Sequence, residues 1–311
     1  MNPLPPYDAS PFALFQAFRL HQGGHLGRLR ALAEFFGTQQ ANPFQLIPSH
    51  PAQIAKWALG RMAAAEELLT RHTLIALYSV GESEEQFHAT LDRIVLTGPG
   101  RTRAVLKGRT EQLSLEETPP LRSCRSCIQD DLSYYGFAFW RSTHQWPAIK
   151  HCLVHDEPLQ ISCDSCGHVQ QPPHLEIRPE SPCPLCNSTK KRALRFVRTK
   201  GYNQFLLEVE KVRADVGRYT SDGRSLFGEE PNCGNWLTPS KRNYEAEAFK
   251  TYLLDLWNCS TPAQLCKQLV CPVDAGLEMH GYYRRNLAAG HWAAQAPPAL
   301  VIAAAAALAR W

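Results

Sequence analysis

The sequence predicts a mainly α-helical protein, helical at both ends, with small β-ribbon elements between. Three observations predict it. Apolar residues recur at three- and four-residue steps through residues 1–118 and again through 196–311, the spacing of one helix face. Between them, in 119–195, this periodicity vanishes while proline, cysteine and histidine rise. Seven of the eleven cysteines fall in 124–186, in C-x-x-C or C-x-x-H pairs. The expected division is a helical, helix-turn-helix-like domain at 1–118, a tandem cysteine-ribbon domain at 119–195 and a helical domain at 196–311. A chain of 311 residues suits two or three packed units.

The first helix starts at Ser10-Pro11, with serine as N-cap and proline where a missing N–H costs nothing. Phe12, Leu14, Phe15 and Phe18 supply its apolar face, and Gly23-Gly24 breaks it. Leu26, Leu29, Ala33 and Phe36 mark a second helix. Two short helices joined by glycines fit a helical hairpin or a helix-turn-helix. A third start is Ser49-His50-Pro51, followed by Ile54, Trp57 and Ala58. A fourth is Ser83-Glu84-Glu85-Gln86, where serine and glutamine form a capping box. Phe87, Leu91, Ile94 and Val95 form its buried face, and Thr97-Gly98-Pro99-Gly100 ends it.

Toward the C-terminus, Phe249, Tyr252, Leu253 and Leu256 share one face after Ser240. Thr261-Pro262-Ala263-Gln264 is a second capping box, with Leu265, Leu269 and Val270 as the apolar positions after it. A Cys271-Pro272 break and a segment ending in Arg284-Arg285 follow, a second helix-turn-helix candidate. Ala303–Ala307 is a run of strong helix formers in a terminal helix.

The middle segment has too little apolar surface to fold alone, a condition in which metal cross-links substitute for a core. Cys163-x-x-Cys166, sixteen residues, then Cys183-x-x-Cys186 fits a four-thiolate zinc template. Gly167 follows the first knuckle, where positive φ is often required. Cys124-x-x-Cys127 has its nearest partner twenty-four residues on, in Cys152-x-x-His155. These four make a Cys₃His zinc site. His151 competes for the fourth position but is adjacent to Cys152, so sharing one ion is awkward for the backbone. Two zinc ions per chain are expected. Asp130, Asp131 and Glu157, close in sequence, read as surface acids. Cys233, Cys259, Cys266 and Cys271 read as buried, reduced thiols.

Both sites close with four protein ligands, the pattern of structural rather than catalytic zinc. The chain lacks H-E-x-x-H, and Pro182-Cys183-Pro-Leu-Cys186 matches only half of the deaminase signature. There is no P-loop, G-x-S-x-G or dinucleotide fingerprint. A zinc hydrolase or deaminase is therefore the weakest reading, and no enzyme is expected. The sequence has no signal-like N-terminus and no apolar run of membrane-spanning length, so a cytoplasmic location without membrane contact is expected. The net charge is +4, which permits nucleic-acid contact without demanding it. Local charge says more. Lys190, Lys191, Arg192, Arg195, Arg198 and Lys200 stand within eleven residues without an acid. That run is a solvated face, or a surface for phosphates or an acidic partner.

Cys124-x-x-Cys127, Gly136-Phe-Ala-Phe-Trp140-Arg141, His144-Gln-Trp-Pro147 and Cys152-x-x-His155-x-x-Pro158-Leu159 together resemble the TniQ/TnsD family of transposition target selectors. Leu46-Ile-Pro-Ser-His50, Arg71-His-Thr-Leu74, Leu77-Tyr78 and the opening Pro5-Pro6-Tyr7 are similar to its N-terminal part. The resemblance covers roughly residues 5–190. It implies zinc ligands at the eight positions above, and helix-turn-helix units with zinc ribbons. It implies a role in choosing insertion sites, with recruitment of a TnsC-like AAA+ regulator ATPase. Some members bind a DNA attachment site directly. Others, often as dimers, ride on an RNA-guided CRISPR effector complex, and a chain of this length is closer to that kind. Association with the nucleoid during transposition follows. Trp140, Arg141 and Trp146 are either packing over the first zinc or anchors for a partner or nucleic acid, with Arg141 and the 190–200 cations at phosphates.

Overall fold

The computed structural model describes residues 5–22, 26–41, 48, 50–60, 64–80, 84–97, 120–170, 177–214, 239–271 and 298–308. Gly23-Gly24, Leu46-Ile47, Ser49, the Ser83 cap, Gly98–Gly100, Cys233 and Arg284-Arg285 lie outside them. The described residues are helical apart from one two-stranded sheet. The chain falls into two compact units, one of residues 1–75, 91–106 and 115–196, the other of 76–90, 107–114 and 197–311.

In the first unit, α1 (Pro11–His21) begins at Ser10, whose Oγ accepts from the Ala13 N–H at 3.2 Å. Helices α2 (Arg28–Phe36), α3 (Pro51–Ala58) and α4 (Ala65–His72) pack with it. Phe15 and Phe18 of α1 meet Phe35 at ring separations of 5.5 and 5.3 Å, and Trp57 closes on Phe18 edge-on at 5.3 Å. Such tilted pairs suit the ring quadrupoles. The buried face of α2 is Ala31, Leu32, Phe35 and Phe36. Leu29, expected inside, is 58% exposed. The buried stripe runs through Ala31, Leu32, Phe35 and Phe36 rather than along the Leu26-Leu29-Ala33 line.

The aromatic core does not stop at residue 118. Leu121, Phe139 and Trp140, from the cysteine-rich segment, belong to the same buried cluster. The segment therefore borrows a core from the N-terminal helices. The stretch before α1 is stitched to it by backbone. Ser10 N–H donates to the Trp140 carbonyl at 2.7 Å, and Ser142 N–H to that of Asp8 at 2.8 Å.

The one-turn α5 (Ile75–Tyr78) and the longer α6 (Glu84–Thr97) follow α4. On α6, Phe87, Leu91 and Ile94 are buried. The cysteine-rich segment contains α7 (Arg125–Tyr135) and the one-turn α8 (Ser142–Gln145). Gly136, at φ 78°, ends α7 in the left-handed conformation that glycine adopts without penalty. Strands β1 (Gln160–Cys163) and β2 (Lys191–Ala193) pair antiparallel, Ser162 opposite Arg192 and Cys163 opposite Lys191.

The second unit contains α9 (Lys200–Ala214), α10 (Pro239–Leu256), α11 (Pro262–Leu269) and α12 (Pro298–Leu308). Residues 299–307 of α12 are buried on every side, as expected of a helix apolar all round. Thr261 caps α11 by accepting from Gln264 N–H at 3.3 Å. The Gln264 side chain reaches one residue further back than a standard capping box, accepting from Ser260 N–H at 2.7 Å. Val270, the last of the apolar positions after the capping box, is exposed at φ 56° just past the helix end. The turn takes it off the helical stripe. Cys259 and Cys266 are buried free thiols, and Cys271 is half-buried. At Gly201 an added Cβ would stand 2.4 Å from the Trp257 ring, so the start of α9 requires glycine for its close approach.

Candidate metal centres

The eight cysteine and histidine side chains converge on two points. Cys124, Cys127, Cys152 and His155 form one group, and Cys163, Cys166, Cys183 and Cys186 the other. Within each, the four donor atoms lie within 4.8 Å of one another.

Three of the four pairs are built by one backbone device. After Cys152, Cys163 and Cys183 the chain turns so that the residue four places on donates its N–H to the cysteine carbonyl. Those bonds are Asp156 to Cys152 at 3.0 Å, Gly167 to Cys163 at 3.0 Å and Asn187 to Cys183 at 2.8 Å. Each cysteine N–H then donates to the carbonyl five places on, at 2.7–2.8 Å, in Glu157, His168 and Ser188. The pivot has positive φ each time: 57° at Asp156, 75° at Gly167 and 58° at Asn187. Glycine, asparagine and aspartate are the residues that tolerate it best. Gly167 was legible by type. An Asp or Asn four places after a cysteine was the equivalent signal for the other two turns. The fourth pair differs. Cys124 precedes α7 and Cys127 lies in its first turn, where aligned N–H dipoles favour thiolates.

The spacings fit a tetrahedral ion. Zinc–sulfur bonds of about 2.3 Å and zinc–nitrogen bonds of about 2.0 Å imply S···S edges of about 3.8 Å and S···N edges of about 3.5 Å. In the first cluster His155 Nδ1 lies 3.6, 3.3 and 3.7 Å from the sulfurs of Cys124, Cys127 and Cys152, and Cys127 and Cys152 are 3.6 Å apart. In the second, Cys163–Cys186 and Cys166–Cys183 are separated by 3.4 and 3.6 Å. These distances are far beyond a disulfide. Hydrogen bonds from Cys124 and Cys127 hold Cys152 down at about 2, and the same sulfur contacts push Cys127 up. A bound cation would let neighbouring thiols ionise together. In the second cluster the Cys166 N–H and the Cys186 contact bring Cys163 down to about 6. His151 is buried away from the donors, its ring 6.1 Å from that of Phe196.

Of the acids expected at the surface, Asp130 is exposed, Glu157 is half-buried and Asp131 is buried. Glu157 accepts from Ser126 Oγ at 2.6 Å and Ser126 N–H at 3.3 Å, with the Cys124 sulfur at 3.5 Å. Asp130 Oδ2 lies 2.9 Å from His155 Nε2. Asp131 is buried on α7, accepting from Phe139 N–H at 2.9 Å and from the Arg141 guanidinium. Burial pushes its carboxyl up to about 6 against the pull of Arg141. Asp8 completes the network, pairing with Arg141 at 3.1 Å and accepting from Thr143 Oγ1 at 2.8 Å. Spacing gave no sign of the contacts that Asp131 and Asp8 make with Arg141, because they depend on which face of α7 meets the core.

Arg141, expected at a phosphate, is thereby turned inward, its side chain 12% exposed between two acids. Trp140 and Trp146 are also buried, and Trp140 Nε1 donates to the Ile177 carbonyl at 3.0 Å. They are packing residues, not surface anchors. The basic run divides. Lys191 is pushed by burial down to about 8, stands 5.8 Å from the Trp140 ring centre and donates to the Pro179 carbonyl. Arg192 pairs with Asp164 at 3.2 Å, and Arg198 donates to Asn203 at 2.8 Å. Lys190, Arg192, Arg195 and Lys200 are exposed. No helix among the described residues is long and apolar enough to cross a membrane.

Residues 16–159 match the model of the TniQ family. Over 126 residues the chain is 26% identical to the transposon Tn7 transposition protein TnsD of Escherichia coli, an alignment covering 40% of this chain and 24% of that protein. The match thus spans about a quarter of that relative's length. The family match contains the first cluster and ends before the second.

Proposed function

Residues 16–159 belong to the TniQ family, and from that membership we propose that this chain selects target sites for DNA transposition. The family match across the first metal cluster is the observation that carries this reading. It is supported by the similarity to a protein named for Tn7 transposition. In this proposal the chain is a non-enzymatic adaptor. It joins an RNA-guided CRISPR effector complex to a TnsC-like AAA+ regulator ATPase, and acts as a single chain or a homodimer. Both clusters hold zinc. Cys124, Cys127, Cys152 and His155 ligate one ion, and Cys163, Cys166, Cys183 and Cys186 the other. Bound zinc would supply cross-links and no chemistry, because each donor set already saturates a tetrahedron. The chain's own residues do the rest: Asp8, Asp131 and Arg141 hold the first knuckle rigidly against the aromatic core.

Elemental analysis of the purified chain should give two zincs, and one or none would sink the metal assignment. Co-purification with the effector complex and the ATPase tests the adaptor role. Retention of both partners is expected, and loss of both would end the proposal.

A second reading is direct DNA recognition of the TnsD kind, favoured by the exposed Lys190, Arg192, Arg195 and Lys200. It requires a footprint on a defined duplex that weakens steeply with salt. A chain that meets DNA only through an RNA-guided complex would reject it.

A further inference from the structure

We infer that Asp130 is the outer partner of His155 and decides which ring nitrogen meets the ion in the first cluster. The inference rests on the metal reading above. A neutral imidazole has one N–H and one lone pair, and a carboxylate can only accept. Asp130 Oδ2 lies 2.9 Å from Nε2, so Nε2 carries the proton and Nδ1 keeps its lone pair. Nδ1 is the atom that faces the three sulfurs at 3.3–3.7 Å. The carboxylate therefore selects the ligating tautomer, fixes the ring's rotation and makes Nδ1 a stronger donor.

The placement follows from α7. Asp130 stands three residues after Cys127, on the same helix face. One helix thus supplies two ligands through its start and the ring's support through its next turn. The Asp130 side chain is 68% exposed, so shortening it removes nothing from the core. Glu157, on the other side of the cluster, holds Ser126 rather than the ring. The second cluster has four thiols and no imidazole, which makes it an internal control.

The test uses the full chain loaded with Co²⁺, whose absorption bands distinguish a Cys₃His from a Cys₄ site, titrated with chelators of graded strength. Nitrogen NMR of His155 in the zinc form reports the tautomer. Asp130→Ala should weaken retention at the first cluster about 10- to 100-fold, leave the second unchanged and speed exchange of the Nε2 proton with solvent. Asp130→Asn, whose amide oxygen still accepts, should stay near the wild type. The inference is overturned if Asp130→Ala holds metal as well as the wild type, if both clusters weaken equally, or if Asp130→Asn falls as far as alanine. A wild-type chain that takes up no metal at the first cluster would instead defeat the metal reading itself.

Discussion

The first cluster takes one cysteine pair from the start of a helix tied into the aromatic core, and its three cysteines are buried. The second takes both pairs from knuckle turns, joined by a two-stranded ribbon, and leaves Cys166 and Cys186 exposed. The donor chemistry is nearly the same and the setting is not. Around the first, Asp8, Asp131 and Arg141 link the ligand-bearing helix to residues more than a hundred positions away. Around the second, Arg192 pairs with Asp164, 28 positions away and half exposed. One cluster is thus part of a tertiary core, and the other closes mainly on itself.

The largest effect that follows is on cooperativity. Structural zinc in small domains contributes about 10 kcal/mol or more of apparent folding free energy. Cys152→Ser should remove one metal and unfold the aromatic core with it, read as lost protection of α1 amides in hydrogen exchange. Cys186→Ser should also remove one metal but leave α1 protected. Equal loss from both variants would erase the distinction. A smaller effect is expected at the link itself. Asp131→Ala strips a buried partner from Arg141 and an acceptor from Phe139 N–H, and should lower stability by about 3–5 kcal/mol. A denaturant midpoint within error of the wild type would show that the network is slack. The smallest belongs to the second cluster. Arg192 is 52% exposed where it meets Asp164, so Arg192→Ala should change stability by about 0–1 kcal/mol, and less in high salt.

The sequence reading worked where structure is local. Caps at Ser10 and Thr261 need only a side chain and an amide three residues on. The convergence of the eight donors follows from pair spacing. It worked less well where distant partners decide. Arg141 looks like any surface arginine until Asp8 and Asp131 close on it from two other segments. Trp140 could face either way until Ile177 offers a carbonyl. Leu29 and Val270 fit the apolar spacing of their helices and are nonetheless exposed.

The stitch between residues 8–10 and 140–142 has a consequence in time. A chain emerging from the ribosome at about 5–20 residues per second presents Asp8 and Ser10 on the order of ten seconds before their partners exist. Helices α1 to α4 can collapse in that interval, and the lead-in to α1 can meet His72 through the Ala9 carbonyl. Its final attachment waits for Trp140 and Ser142. Capture of an ion at the first cluster must wait longer, until His155 has been made. Nascent copies stalled between those points would be the ones most exposed to proteases.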